Sequence, residues 1–217
     1  LNIKTFSLSS FTRPLAAGGS DKSMKVAIVK YNAGNVESVK NALNRLGIEP
    51  VLTDDAETLK SADRVIFPGV GEASTAMNYL REKGLDKAIK SLAQPVLGIC
   101  LGMQLLCDFS DENETACLGL LPYRVRRFES ETLKIPQMGW NNIFDLKSRL
   151  FANISENSYV YFVHSFYVET GPETIAACDY GVNFSAAVNH ENFYAVQFHT
   201  EKSGAVGARI LENFLKI

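Results

Sequence analysis

From position 24 onward the chain alternates between two hydrophobic rhythms. Short runs of consecutive apolar and β-branched residues recur: "KVAIVKY" at 25–31, "RVIFPGVG" at 64–71 and "PVLGI" at 95–99. Such runs suit strands buried on both faces. "EPVL" at 49–52 reads as another short strand. Between the runs, apolar residues return every three or four positions. Val36, Val39, Leu43 and Leu46 share one helical face, and Gly47 closes it. Asn35, in the turn "NAGN", is placed to cap that helix. "EASTAMNYLREKG" at 72–84 and the segment 85–92 read as two more helices, and a further one is expected over 101–109. Strands alternating with helices in this order imply a parallel sheet covered on both faces.

The second half is richer in strand patterns. "YRVRRFE", "WNNIFDL", "SYVYFVHSFYVE", "TIAACDY", "FSAAVNHE" and "FYAVQFH" are short, β-rich and bounded by turn residues. A closing helix is expected over 204–215, with Val206, Ile210 and Phe214 on one side. There is no internal repeat and no linker rich enough to divide the chain. The expected architecture is α/β: a single three-layer domain over 24–217 with a mostly parallel central sheet, flavodoxin-like. Residues 1–23 lack this patterning. They are rich in Ser, Gly and Thr and hold no acidic residue before Asp21. They read as a leader or vector-derived segment, with an organelle transit peptide as the alternative.

Composition narrows the picture. A formal net charge of -2 argues against a nucleic acid held by bulk electrostatics. No apolar stretch is long enough for a membrane-crossing helix. The four cysteines form no C-x-x-C pair, and no histidine pair has metal-ligand spacing, so no metal or other cofactor is expected. Sparse cysteines fit free thiols in a reducing, cytoplasmic setting.

The chemistry centres on "GICLG". Cys100 stands between Gly98 and Gly102, at the carboxyl end of an expected parallel strand, where ligands collect in such sheets. Small-x-nucleophile-x-small is the pattern of a nucleophile elbow. The chain turns sharply from strand to helix, and the next backbone N–H points at a developing oxyanion. A helix N-terminus also favours a thiolate. The plainer reading is a buried cysteine beside tight packing; both glycines together favour the elbow. A thiol nucleophile needs a base, and the base an orienter. Of three histidines, His199 ends "FYAVQFH", and alternation in an extended chain puts Glu201 on its side. His190 reads as part of an exposed turn. His164 reads as a core histidine or a pocket wall. Leu101 N–H and an N–H of Gly69, Val70 or Gly71, from "PGVG", are the candidate oxyanion donors.

Taken in order, "PGVG", "GICLGMQLL", "GLLPYRVRRF", "KIPQMGWN", "YFVHSFYV" and "AVQFHTEKSG" resemble the class I glutamine amidotransferases with a Cys-His-Glu triad. Within that family the chain is most similar to the glutaminase subunits of imidazole glycerol phosphate synthase, from histidine biosynthesis. The resemblance covers almost everything from Met24 to Ile217. It implies that Cys100 attacks the side-chain amide of L-glutamine, that His199 carries the proton, and that Glu201 orients His199. It also implies that Gln104 and backbone groups of Ser165 and Phe166 hold the substrate. Ammonia would pass to a separate cyclase subunit, a (β/α)₈ barrel, and the chain's stopping one helix after the triad agrees with a separate acceptor. Asn35, Pro136, Gln137, Met138 and Trp140 are implied at that interface. The chain departs from the family's usual pattern at Thr200, where His-Pro-Glu is common, at Gln137, often His, and in the loop 30–35, usually nearer Asp-Tyr-Gly-x-Gly-Asn. Three other readings compete: a catalytically silent binding subunit, a stand-alone γ-glutamyl cysteine hydrolase, and an amidotransferase subunit serving a different synthase.

Overall fold

The computed structural model of the chain describes residues 24–32 and 34–217. The leader expected over 1–23 lies outside the described residues. The strands in chain order are β1 (Val26–Val29), β2 (Val51–Thr53), β3 (Arg64–Gly69), β4 (Val96–Cys100), β5 (Cys107–Ser110), β6 (Thr115–Ala116), β7 (Leu121–Arg127), β8 (Gln137–Ile143), β9 (Ser158–His164), β10 (Phe166–Val168), β11 (Thr174–Asp179), β12 (Asn183–His190) and β13 (Phe193–Val196). The helices are α1 (Val36–Arg45), α2 (Ala56–Ser61), α3 (Ala73–Glu82), α4 (Leu85–Lys90), α5 (Leu101–Leu106) and α6 (Gly204–Leu215).

The central sheet runs β11-β12-β13-β4-β3-β1-β2. Five strands, β13 to β2, are mutually parallel, and β12 and β11 extend the sheet antiparallel. All residues of β1 and β4 are buried, as two-sided burial of a parallel sheet requires. Each face carries its own core. On one, Leu59 of α2, Met77 and Leu80 of α3, Ile89 of α4 and Leu105 of α5 pack with Val29 and Phe67. On the other, Val39 and Leu43 of α1 and Ile210 and Phe214 of α6 pack with Ile28, Ile66 and Leu97. A small sheet, β10-β7-β5-β6, and a hairpin, β8-β9, complete the structure.

The α/β expectation and the helices on both faces agree with this architecture. Four local expectations are corrected. The helix from Leu101 ends at Leu106, because Cys107 turns extended and 107–110 joins β7 in the small sheet. The run 158–169 is not one strand. It breaks at Ser165, and its two parts pair in different sheets. The strand from Phe193 stops at Val196, where its parallel pairing with β4 ends. The pattern also missed α2, which is short and capped by the Asp55 side chain accepting from Thr58 N–H at 2.7 Å.

One contact sets the crossing of α5 over the sheet. A Cβ placed on Gly102 would lie 1.8 Å from the Phe67 carbonyl oxygen, a backbone atom that cannot rotate away. Gly102→Ala is therefore expected to destabilise by about 1–3 kcal/mol or more. For a chain of this size that is roughly 2–4 °C of Tm per kcal/mol, read by thermal unfolding. An unchanged Tm would mean that α5 is free to shift.

Candidate active site

Cys100 ends β4 and begins α5 with φ 55° and ψ −110°. A non-glycine residue in such a region stores strain of order 1–3 kcal/mol, which only over-determined surroundings can hold. Gly98 supplies the rest of that constraint, since a Cβ there would meet Leu106 Cδ1 at 2.8 Å. The two glycines of the elbow thus let α5 lie directly on β3 and β4. The thiol is buried beside the Val163 carbonyl oxygen and Gln197 Nε2, each 3.8 Å from Sγ.

His199 leaves the end of β13 in extended conformation, and residues Thr200–Lys202 then form a 3₁₀ turn. This turn, rather than strand alternation, swings Glu201 under the imidazole, which corrects the geometry expected from the sequence. His199 Nδ1–H donates to Glu201 Oε1 at 2.8 Å. Nε2 is thereby the nitrogen left for Cys100. Asn35 Nδ2 also donates to Glu201 Oε1 and lies 3.4 Å from His199 Nδ1. Asn35 does stand at the N-cap position of α1, but its side chain makes no cap bond and reaches the triad instead.

Cys100 and His199 open onto a cavity of about 320 Å³. Val70, Gly71, Leu101, Gln104, Ser165, Phe166 and Pro136 line it too, so these sequence-derived residues converge here from five separate segments. Gly71 has φ 119°, open only to glycine without strain. Gly69 lies two residues back, level with Cys100 in the ladder and packed against the Tyr31 hydroxyl and Leu101. Gln104 Nε2 donates to the Phe166 carbonyl at 3.1 Å and to Gln197 Oε1 at 3.0 Å, which leaves its amide oxygen for a ligand donor. The carbonyls of Ser165 and Phe166 are already engaged, by Phe128 N–H and by Gln104 with His164. What Ser165 offers is its hydroxyl and N–H.

Three residues of the implied interface separate. Met138 and Trp140 are 63% and 55% exposed on the outer side of the β8-β9 hairpin, with Tyr159 at 59%. Gln137 is a correction: alternation along β8 turns its side chain inward beside Cys178, and it presents no surface. Glu112, Lys202 and Gln197 were not singled out from the sequence. Glu112 sits in the aperiodic run "DENE", which carries no spacing signal. Gln197 shares the alternation of His199 and was legible on that ground.

The three histidines differ by environment. Burial alone would lower His199, but the flanking Cys100 sulfur and Glu201 carboxylate outweigh it and hold its pKa well above the imidazole range. It is a strong base for the thiol proton. His164 is buried and pushed down to about 4, opposed only by its 2.7 Å bond to the Phe166 carbonyl, so it stays neutral. His190 lies 3.9 Å from Glu173 near the surface. Burial raises the Glu112 carboxyl above its usual range, against the hydrogen bond it accepts from Ala73 N–H at 2.7 Å. Among the described residues no group of His, Cys, Asp and Glu could hold a metal ion.

A strained cysteine at a strand-to-helix turn and a histidine hydrogen-bonded to a buried glutamate thus open on one cavity. The chain matches the family "Glutamine amidotransferase class-I" over residues 7–217, and it belongs to that family. It is 57% identical over 196 residues to the imidazole glycerol phosphate synthase subunit HisH of Bacteroides fragilis (strain YCH46), covering 89% of this chain and 100% of that one. The subunit of the same name from Pasteurella multocida (strain Pm70) is 47% identical, covering 88% and 97%. Among solved structures, a glutamine amidotransferase superposes with TM-score 0.68 at 21% identity, covering 88% of this chain and 97% of that one. PurLQS from Thermotoga maritima gives 0.67 at 19%, covering 89% and 98%. These two agree in fold.

Replacing Cys100 by Ala or Ser is expected to abolish glutamine hydrolysis with Tm retained, whereas Cys107→Ala should leave it intact. His199→Ala should cost as much as the cysteine change, and Glu201→Gln less, because an orienter contributes less than nucleophile or base. Single-turnover release of glutamate separates these cases, and wild-type rates for His199→Ala would rule the triad out. A pH prediction follows from His164. Its folded pKa lies below the unfolded value near 6.5, so the neutral ring's contribution is present above pH ~6.5 and lost as pH falls toward about 4. The stability of wild type to urea should fall more steeply as pH drops across that window than that of His164→Gln.

Proposed function

We propose that this chain is the glutaminase subunit of an imidazole glycerol phosphate synthase. It hydrolyses L-glutamine to glutamate and ammonia and hands the ammonia to a separate cyclase subunit in histidine biosynthesis. The observation that carries the reading is the Cys100-His199-Glu201 constellation opening on the amide-lined cavity, in a chain 57% identical to a subunit of that name.

Each step has a residue at hand. His199 Nε2 takes the thiol proton, and Cys100 Sγ attacks the carboxamide carbon of glutamine. Leu101 N–H and an N–H from the Gly69–Gly71 stretch stabilise the tetrahedral oxyanion. His199 returns the proton to the departing ammonia, and a glutamyl thioester remains on Cys100. Water, activated by the same imidazole, then releases glutamate. The substrate's zwitterionic end needs an anionic partner for its ammonium. The Glu112 carboxylate, on the cavity wall, supplies it, with the Gln104 amide oxygen as a second acceptor. Lys202, exposed and part of the cavity lining, supplies a cation for the α-carboxylate.

The acceptor of the ammonia docks on the β8-β9 hairpin. Met138, Trp140 and Tyr159 form an exposed apolar surface there, while Pro136 and Val163 at the base of the same hairpin line the cavity. One face therefore reaches both partner and substrate. The partner is a (β/α)₈-barrel cyclase, and the pair works in the cytoplasm.

An enzyme that releases ammonia benefits from idling until its acceptor is loaded. Gly69-Val70-Gly71 is the element able to switch, since glycines permit a peptide to turn an N–H toward the oxyanion. Glutaminase turnover is expected to be slow for the chain alone and to rise by about 10²–10³ when the cyclase and its nucleotide substrate are added, the range for one oxyanion donor. Full turnover by the isolated chain, indifferent to either addition, would favour a stand-alone hydrolase.

A further inference from the structure

The hydrogen bonds of the Glu201 carboxylate are unevenly shared. Its side chain is 0% exposed. Among the described residues both of its donors converge on Oε1: His199 Nδ1–H and the Asn35 side-chain amide. Oε2 has no partner there. His199 and Glu201 belong to one stretch of chain, so their mutual bond ties the triad only to itself. Asn35 comes from the turn before α1, 166 residues earlier. Among the described residues it is the donor that anchors the carboxylate to the rest of the fold.

The chemistry fixes which end of the amide faces the carboxylate. A carboxylate oxygen only accepts, so the NH₂ group must face it, and its lone pairs have room for two donors. The 3.4 Å between Asn35 Nδ2 and His199 Nδ1 is therefore the spacing of two donors that share Oε1, not a bond between them. Asn35 gives up other stabilisation to be there. It holds φ 73° and ψ 6°, a left-handed conformation uncommon outside glycine, and asparagine is among the few residues that tolerate it. It stands at the N-cap of α1, where an asparagine side chain ordinarily accepts from one of the helix's first N–H groups, yet it makes no such bond. Neither feature stabilises α1, and both are accounted for by the contact with Glu201.

We propose that Asn35 is a positioning residue of the triad. Its amide pins Glu201 Oε1, which keeps the carboxylate on His199 Nδ1–H and so keeps Nε2 directed at Cys100. Without it the carboxylate hangs on the imidazole that it has to orient, and acid and base can turn together away from the thiol. Asn35 does not line the cavity and acts only through Glu201. This role differs from the partner contact that the resemblance implied for it. The proposal rests on the triad reading above.

The test replaces Asn35 by Gly, which suits the left-handed backbone and removes the amide, and by Asp, which keeps the shape and puts an oxygen in place of the donor. Both variants are assayed with saturating cyclase and its nucleotide substrate. Asn35→Gly is expected to lose roughly tenfold in kcat, with KM within about twofold and Tm retained, the order found when a hydrogen bond that orients a metal-ligating side chain is lost. Asn35→Asp should lose at least as much, and it carries the comparison should Asn35→Gly not fold. In a Glu201→Ala background, where the amide has nothing to hold, Asn35→Gly should change kcat by less than about twofold. Wild-type kcat in either variant, a loss that adds in full to that of Glu201→Ala, or a loss carried by KM would each overturn the proposal. So would a loss seen only below saturation with cyclase, the mark of a partner contact. Hydrolysis that survives Cys100→Ala would remove the triad reading and this proposal with it. Hydrolysis that needs Cys100 and Glu201 but ignores Asn35→Gly removes this proposal alone.

Discussion

The start of α5 lies on the carbonyl of Phe67 at a distance only a glycine allows. That contact draws the helix onto β3 and β4, and the chain can meet it only by turning within one residue. Cys100 takes the turn and the strain. The rest of the site is arranged around the thiol that this turn presents. β3 ends level with it and continues into Val70 and Gly71, and β13, on the other side of β4, continues into His199. The parallel order of three strands therefore brings Cys100, His199 and the Val70–Gly71 backbone to one edge.

Electrostatics then separates groups of the same kind. His164 and His199 are both buried, yet one is held neutral and the other is held basic. The difference lies in burial and neighbours: His164 is deeply buried, with a carbonyl hydrogen bond opposed by nearby His199, while His199 has a carboxylate and a sulfur. Burial without a charged partner suppresses the cationic form, and a carboxylate and a sulfur beside the ring promote it.

The β8-β9 hairpin links this chemistry to the outside. Its inner residues, Val160 and Phe162, belong to the core on the α1 and α6 face. Its outer residues, Met138, Trp140 and Tyr159, are bare, and its base forms part of the cavity wall. Period-two alternation lets one ribbon serve core and surface at once. The same alternation hides Gln137, which register sends inward.

The residue pattern alone determined the parallel α/β architecture, the elbow at Cys100 and the closing helix at Gly204–Leu215, because each depends on local rules. Consecutive apolar residues make a two-sided strand, glycines flank a sharp turn, and a 3.6-residue period makes a helix. The pairing of His199 with Glu201 was legible as a pair, but its geometry was not, because a 3₁₀ turn and not a strand joins them. Tertiary structure alone decided three things. It ended α5 at Leu106, since pairing with β7 outweighs helical propensity there. It broke the run at Ser165, since its two halves serve different sheets. It brought Asn35 to Glu201 across more than 160 residues, and Glu112 into the cavity. Contacts between distant segments leave no period in the sequence, so the packing that creates them was needed to find them.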